Sequence, residues 1–245
     1  MRTLFLDIET APNLVYCWGI WDQNIGINQM VSSSSTICWG AKWLGEKKIL
    51  FDSVYQSSEK AMVRGIHNLL DEADVVITFN GKKFDIPTLN KEFLLSGLNP
   101  PSPYKQVDII QTARYTFNFQ SNKLEYIVGQ LGLGGKVKHN GFELWLGCIK
   151  NDPLSWRRME KYNKHDVVLL EKVYNKMLPW INGIPNAGFE GIECCPRCGS
   201  RKFQSRGISR TLSLTYKRYQ CISCGGWFRS VIKTDDPKPD FKEIV

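Results

Sequence analysis

Residues 4–12 read "LFLDIETAP": Leu4, Phe5 and Leu6 run straight into Asp7, one spacer and Glu9. Such a short apolar run predicts a buried strand that ends in acids. In a strand, side chains two apart share a face, so Asp7 and Glu9 point the same way. Two carboxylates held side by side are costly unless a proton or a cation neutralises them. Oxygen ligands of this kind suit Mg²⁺ or Mn²⁺. The pair alone also fits a strand that ends in a polar turn with both acids in water, so its meaning rests on whether other acids join it.

Two more stretches supply candidates. "VITFNGKKFD" (Val76–Asp85) is a buried strand running out at Phe79, then Asn80, Gly81, two lysines, Phe84 and Asp85 where a helix begins. Aspartate also serves as a plain helix cap, and that reading stays open from the residues alone. "YNKHD" carries Tyr162 and Asp166 at i and i+4, one face of a helix. His165 is next to Asp166 in sequence but off its face. Asp108, in "QVDII", is another acid at a strand and reads as structural or supporting.

In their order, the three stretches resemble the DEDD superfamily of 3′–5′ exonucleases, which have a ribonuclease-H-like fold. Asp7 and Glu9 match the first motif, Asp85 within "NGKKFD" the second, and Tyr162 with Asp166 the third. The residue five before Asp166 is Lys161, so the match is to the tyrosine (DEDDy) branch. The resemblance spans residues 3 to about 180. It implies two-metal phosphodiester hydrolysis with two Mg²⁺ or Mn²⁺ held by Asp7, Glu9, Asp85 and Asp166. It further implies that Tyr162 orients the attacking water, and that Thr10 and Asn80 position substrate.

The rest of the chain fits an α/β domain with a mixed sheet flanked by helices. Strand-type runs are "TLFLD", "LVYCWGIW", "STICWGAKWL", "KKILFDSVY" and "DVVITFN"; "QVDIIQTARYTF" begins as a strand. Helical spacing marks "SEKAMVRGIHNLLDEA", "DIPTLNKEFLLSGL", "KLEYIVGQLGLGGK" and a long segment from Asp152-Pro153 to Ile181. The expected organisation is a nuclease-like domain over 1–182, a linker over 183–193, a small cysteine-rich ribbon over 194–233 and a frayed tail over 234–245. The start is not a secretory signal, and no apolar run approaches a membrane span, so a cytoplasmic protein is expected. Oligomeric state is not legible.

The ribbon rests on "CPRCG" and "CISCGG", separated by the 22 residues Gly199 to Gln220. Four thiolates so spaced predict one structural Zn²⁺ on Cys195, Cys198, Cys221 and Cys224, with Cys194 able to stand in for Cys195 by sequence alone. Cys17, Cys38 and Cys148 sit in apolar runs and read as core. The net charge is +8, and from Cys195 to Lys233 there are nine basic residues and no acid. Arg206, Arg210, Lys217 and Arg218, interleaved with Phe203, Tyr216, Tyr219, Trp227 and Phe228, predict contacts to nucleic acid. The aromatics also fit a small ribbon core, and the ribbon also fits a protein partner. The favoured substrate is single-stranded DNA. The alternatives are a 3′-exoribonuclease and a catalytically silent nucleic-acid-binding protein on the same scaffold.

Overall fold

The computed structural model describes residues 1–135, 141–188, 193–212 and 214–234. Residues 189–192 of the expected linker and 235–245 of the expected tail lie outside the described residues. The chain divides into two compact units, Met1–Val173 and Tyr174–Val245.

Ten strands and six α-helices are described. In chain order the strands of the first unit are β1 (Thr3–Thr10), β2 (Leu14–Val15), β3 (Met30–Ser32), β4 (Thr36–Trp43), β5 (Leu50–Ser53), β6 (Val75–Thr78) and β7 (Lys105–Asp108). Its helices are α1 (Glu59–Asp71), α2 (Asp85–Leu95), α3 (Ile109–Thr116), α4 (Leu124–Gln130), α5 (Phe142–Ile149) and α6 (Pro153–Met177), the last running on into the second unit. Five strands make one mixed sheet in the order β5-β4-β1-β6-β7. β1 is central, antiparallel to β4 and parallel to β6.

The alternation of β1 decides what each face does. Leu4, Leu6 and Ile8 pack with Met62, Ile66 and Leu70 of α1 and with Leu89 and Phe93 of α2. The odd-numbered residues, Asp7 and Glu9 among them, therefore face the other way. On that side α5 and α6 bring Leu144, Cys148, Trp156, Met159 and Tyr162 against Ile37 and Cys38 of β4. Each fully buried Leu or Met in these layers contributes about 2 kcal/mol of apolar transfer. The acids thus project from a strand whose opposite face is fixed in the core.

Two expectations are corrected. "LVYCWGIW" is not a strand over its length: Leu14–Val15 alone pairs, with Met30–Ser32, and Tyr16, Trp18, Ile20 and Trp21 are exposed. β-branched and aromatic residues describe side chains that fit a pleated surface, but a strand needs a neighbour, and the five-stranded sheet is built without this segment. Cys17 lies in the same excursion and is exposed, not core. Asp152 does cap α6, accepting from the Ser155 amide at 2.9 Å and the Ser155 hydroxyl at 2.6 Å. Among the described residues no helix is long and apolar enough to cross a membrane.

The second unit carries β8 (Phe203–Arg210), β9 (Thr215–Cys221) and β10 (Trp227–Lys233), an antiparallel sheet in the order β10-β9-β8.

Candidate active site and cysteine centre

The acids of unit one share one electrostatic neighbourhood. The phenol of Tyr162 is held far above its ordinary range, first by burial, then by the charges of Asp166, Glu9 and Asp7. It stays protonated and donates to Asp166. Cys38, opposite Glu9 in the β1–β4 register, is raised by burial and then by Glu9 and Asp7. So Asp7, Glu9, Tyr162 and Asp166, predicted from separate stretches, lie together. Asp85 reaches the same strand: its Oδ1 accepts from the amide of Ile8, between the two β1 acids, at 3.2 Å.

That bond decides between the two readings of Asp85. The position before α2 is Phe84, and Asp85 is the first helical residue, with its carboxylate turned to β1. Burial pushes its carboxyl up to about 7; the Ile8 amide opposes this, and the nearby Asp108 adds to it. An acid whose folded pKa is raised binds its proton more tightly in the folded state, so its ionisation costs stability as pH rises from about 4 through 7. Asp85→Asn keeps an acceptor for Ile8 and removes the charge. Without added divalent metal, its melting temperature should exceed wild type by roughly 3 °C or more at pH 8, about 1 kcal/mol. The gain should vanish near pH 4. Thermal melts at the two pH values check this.

Asp108, whose charge also reaches Asp85, holds the second motif in place. It caps α3, and its carboxylate accepts from the amides of Asn80 at 2.7 Å and Lys82 at 3.1 Å. Asn80 has φ +71°, a conformation asparagine tolerates better than most residues. Gly81 follows because a Cβ there would meet Thr78 at 2.4 Å. Thr10 lies at the rim of a cleft of about 480 Å³ that Pro12, Asn13, Ser34, Phe142 and Trp145 also line. The Trp145 ring meets Tyr162 edge-on at 6.0 Å, which joins this cleft to the acids. His165 bonds the carbonyl of Gly135 at 2.8 Å and so ties α6 to a loop.

Sequence reasoning passed over Asn163. It is fully buried, and its Nδ2 donates to Asp7 Oδ2 at 2.8 Å and to the Asp7 carbonyl at 3.3 Å. It fixes one rotamer of the first acid. Room for it comes from Gly40, which stands opposite Asp7 on β4. A Cβ on Gly40 would meet Asn163 Oδ1 at 2.3 Å. Gly40→Ala should therefore destabilise the protein by about 1–3 kcal/mol, lowering the melting temperature by roughly 3–10 °C. It should also lower any activity that depends on Asp7. Calorimetry with a parallel activity assay reads both.

In unit two, the Sγ atoms of Cys195, Cys198, Cys221 and Cys224 all lie within 4.8 Å of one another. Cys195–Cys224 is 3.7 Å and Cys198–Cys221 is 3.6 Å. A Zn–S bond of about 2.3 Å makes a tetrahedral edge of roughly 3.8 Å, so the set fits one zinc ion. Cys194 stands outside it. Burial raises Cys221, but the amides of Cys224 and Ser223 together with the neighbouring thiols pull it to about 7, while burial pushes Cys198 and Cys224 up. Thiolate is the form a metal takes. Among the described residues no other group of His, Cys, Asp or Glu is drawn this tight.

The cations of the ribbon split. Arg197 is committed to its own unit, donating to the carbonyl of Leu178 at 3.1 Å and to that of Ile181. Arg218 donates to the carbonyl of Arg206 at 3.0 Å. Lys217 alternates with Arg218 along β9 and so projects from the opposite face; Arg210, paired with Thr215, is on the Lys217 side.

A mixed sheet whose central strand ends in clustered carboxylates, flanked by helices, is an RNase H-like α/β fold. Residues 4–178 match the RNase_H superfamily model, and the chain belongs to that superfamily. The fold is similar to part of the family B DNA polymerase from the hyperthermophilic archaeon Pyrobaculum calidifontis, with a TM-score of 0.55 and 16% identity. The match covers 73% of this chain and 24% of the polymerase chain, so this chain spans about a quarter of that protein. A search of curated proteins finds no match. Family and fold point to a nuclease.

Proposed function

We propose that the chain is a metal-dependent 3′–5′ exonuclease of the tyrosine branch, acting on single-stranded DNA. The observation that carries this reading is the shared neighbourhood of Asp7, Glu9, Tyr162 and Asp166, with the Asp85 carboxylate bonded between the two β1 acids. The donor set is all oxygen and rich in negative charge, which fits hard divalent cations. Asp7, Glu9, Asp85 and Asp166 would hold two Mg²⁺ or Mn²⁺, which supply the positive charge that acidifies water and stabilises the leaving oxygen.

The chain's own groups do the positioning. Asn163 fixes Asp7 through its side chain and carbonyl. Tyr162, kept protonated, orients water as a hydrogen-bond partner and not as a base. Thr10 and Asn80 steer the strand end, with Phe142 and Trp145 of the adjoining cleft as apolar walls for a base. Water attacks phosphorus, the bond to the 3′ oxygen breaks, that oxygen takes a proton, and a nucleoside 5′-monophosphate leaves. Domain limits of 1–182 for the nuclease, 183–193 for the linker and 194–233 for a zinc ribbon that binds nucleic acid complete the reading.

The likeness to a DNA polymerase favours DNA over RNA. Matched 5′-labelled DNA and RNA strands, incubated with Mn²⁺, test the choice. A ladder from DNA alone is expected. A ladder from RNA alone makes the protein an exoribonuclease, and tight binding without shortening makes it a silent binding protein.

A further inference from the structure

The ribbon sheet has two unlike faces. Phe203, Tyr219 and Phe228 pack on one another, at centroid distances of 5.4–5.6 Å, and form the ribbon's own core. Tyr216, Arg218 and Gln220 alternate with Tyr219 along β9 and so occupy the other face. Trp227 lies opposite Gln220, and Arg229 lies opposite Arg218. Residues directly opposed in an antiparallel pair share a face. That face therefore carries Tyr216, Arg218, Trp227 and Arg229 as one cluster.

Ring contacts agree with the register. The Arg218 guanidinium lies over the Trp227 ring at 5.2 Å, and Arg229 lies over Tyr216 at 4.1 Å. Arg218 is further held by its bond to the Arg206 carbonyl. Trp227 is 50% exposed, an unusual cost for an indole with no role. Each pair offers a flat cation laid over a flat ring, in a segment of nine basic residues and no acids. An apolar partner would not need the cations, and a purely ionic one would not need the rings. A single strand needs both, because it presents phosphates and unpaired bases at once.

We propose that the Tyr216–Arg218–Trp227–Arg229 face binds single-stranded nucleic acid by stacking unpaired bases, while Lys217 and Arg210 on the other side add only screened charge. This deepens the reading of the ribbon as a nucleic-acid binder and rests on it. The two rings and two guanidinium planes take bases, while the guanidinium edges reach the phosphates on either side. Duplex, whose bases are already stacked, binds there more weakly.

The test uses the full zinc-loaded chain carrying Asp7→Ala, so that no strand is cut, and fluorescence anisotropy at fixed salt. Trp227→Ala and Tyr216→Ala should each weaken binding of a single-stranded oligonucleotide roughly tenfold or more. Trp227→Phe, which keeps a ring, should restore most of it. Lys217→Ala and Arg210→Ala should stay within about threefold, as exposed charges screened by salt do. An abasic strand of equal charge should bind the parent as weakly as the intact strand binds Trp227→Ala. Retained zinc and an unchanged melting profile guard against loss of folding. Equal losses from both faces, with the abasic strand bound as tightly as the intact one, would overturn stacking while leaving a charged ribbon that binds nucleic acid. No change from any ribbon variant would overturn the ribbon reading itself. Failure of the exonuclease reading would show in cleavage assays and not here.

Discussion

Asp7→Ala is expected to abolish cleavage while leaving the fold in place. The expected loss in kcat is roughly 10³-fold or more, about 4 kcal/mol of transition-state stabilisation. The reason is local. Asp7 is the first acid on the central strand, and Asn163 spends its amide holding it. Stability should not fall, because the mutation removes one charge from a crowded anionic site. The Asp7 carbonyl still accepts from Asn163, so α6 keeps that anchor on β1. Steady-state rates with Mn²⁺, paired with a thermal melt, read both halves. A variant that melts well below wild type would mark Asp7 as structural.

The second large effect falls on the ribbon. Its aromatic cluster is three half-buried rings, and of its four clustered cysteines only Cys195 and Cys221 are buried. Segments this small need a metal to fold, and structural zinc supplies about 10 kcal/mol or more. Cys198→Ser, or stripping zinc with a strong thiol-tolerant chelator, should unfold β8–β10. Trypsin should then cut quickly between Arg201 and Lys233, while the RNase H-like unit persists as a resistant fragment. A ribbon that stays resistant after zinc is removed would show that the four cysteines are not its staple. The two losses should be separable: the cysteine variant keeps catalysis on short strands, and Asp7→Ala keeps binding.

Much of the site was legible because strand alternation and helical spacing act on neighbours in sequence. Asp7 with Glu9, and Tyr162 with Asp166, each share a face for that reason alone. The cysteine pairs were legible because zinc demands their spacing. Asp85 was only half legible, since a helix-start aspartate does not say whether it caps its own helix or reaches across to β1. The Asn163–Gly40 contact was not legible, because it depends on how α6 lies across β4. "LVYCWGIW" misled because strand-type composition does not supply a partner strand. The division of ribbon cations between faces was hidden for a similar reason. It follows from the β8–β9 register, which shifts between Ser205 and Ile208.

The clustered acids are expected to cut phosphodiester bonds from a free 3′ end. Mass spectrometry of the products from linear and circular single-stranded DNA of the same sequence, with Mn²⁺, tests this most directly. Nucleoside 5′-monophosphates from the linear strand, an intact circle, and no product from Asp7→Ala are expected. A cut circle, or an untouched linear strand with folded, zinc-loaded protein, would contradict this.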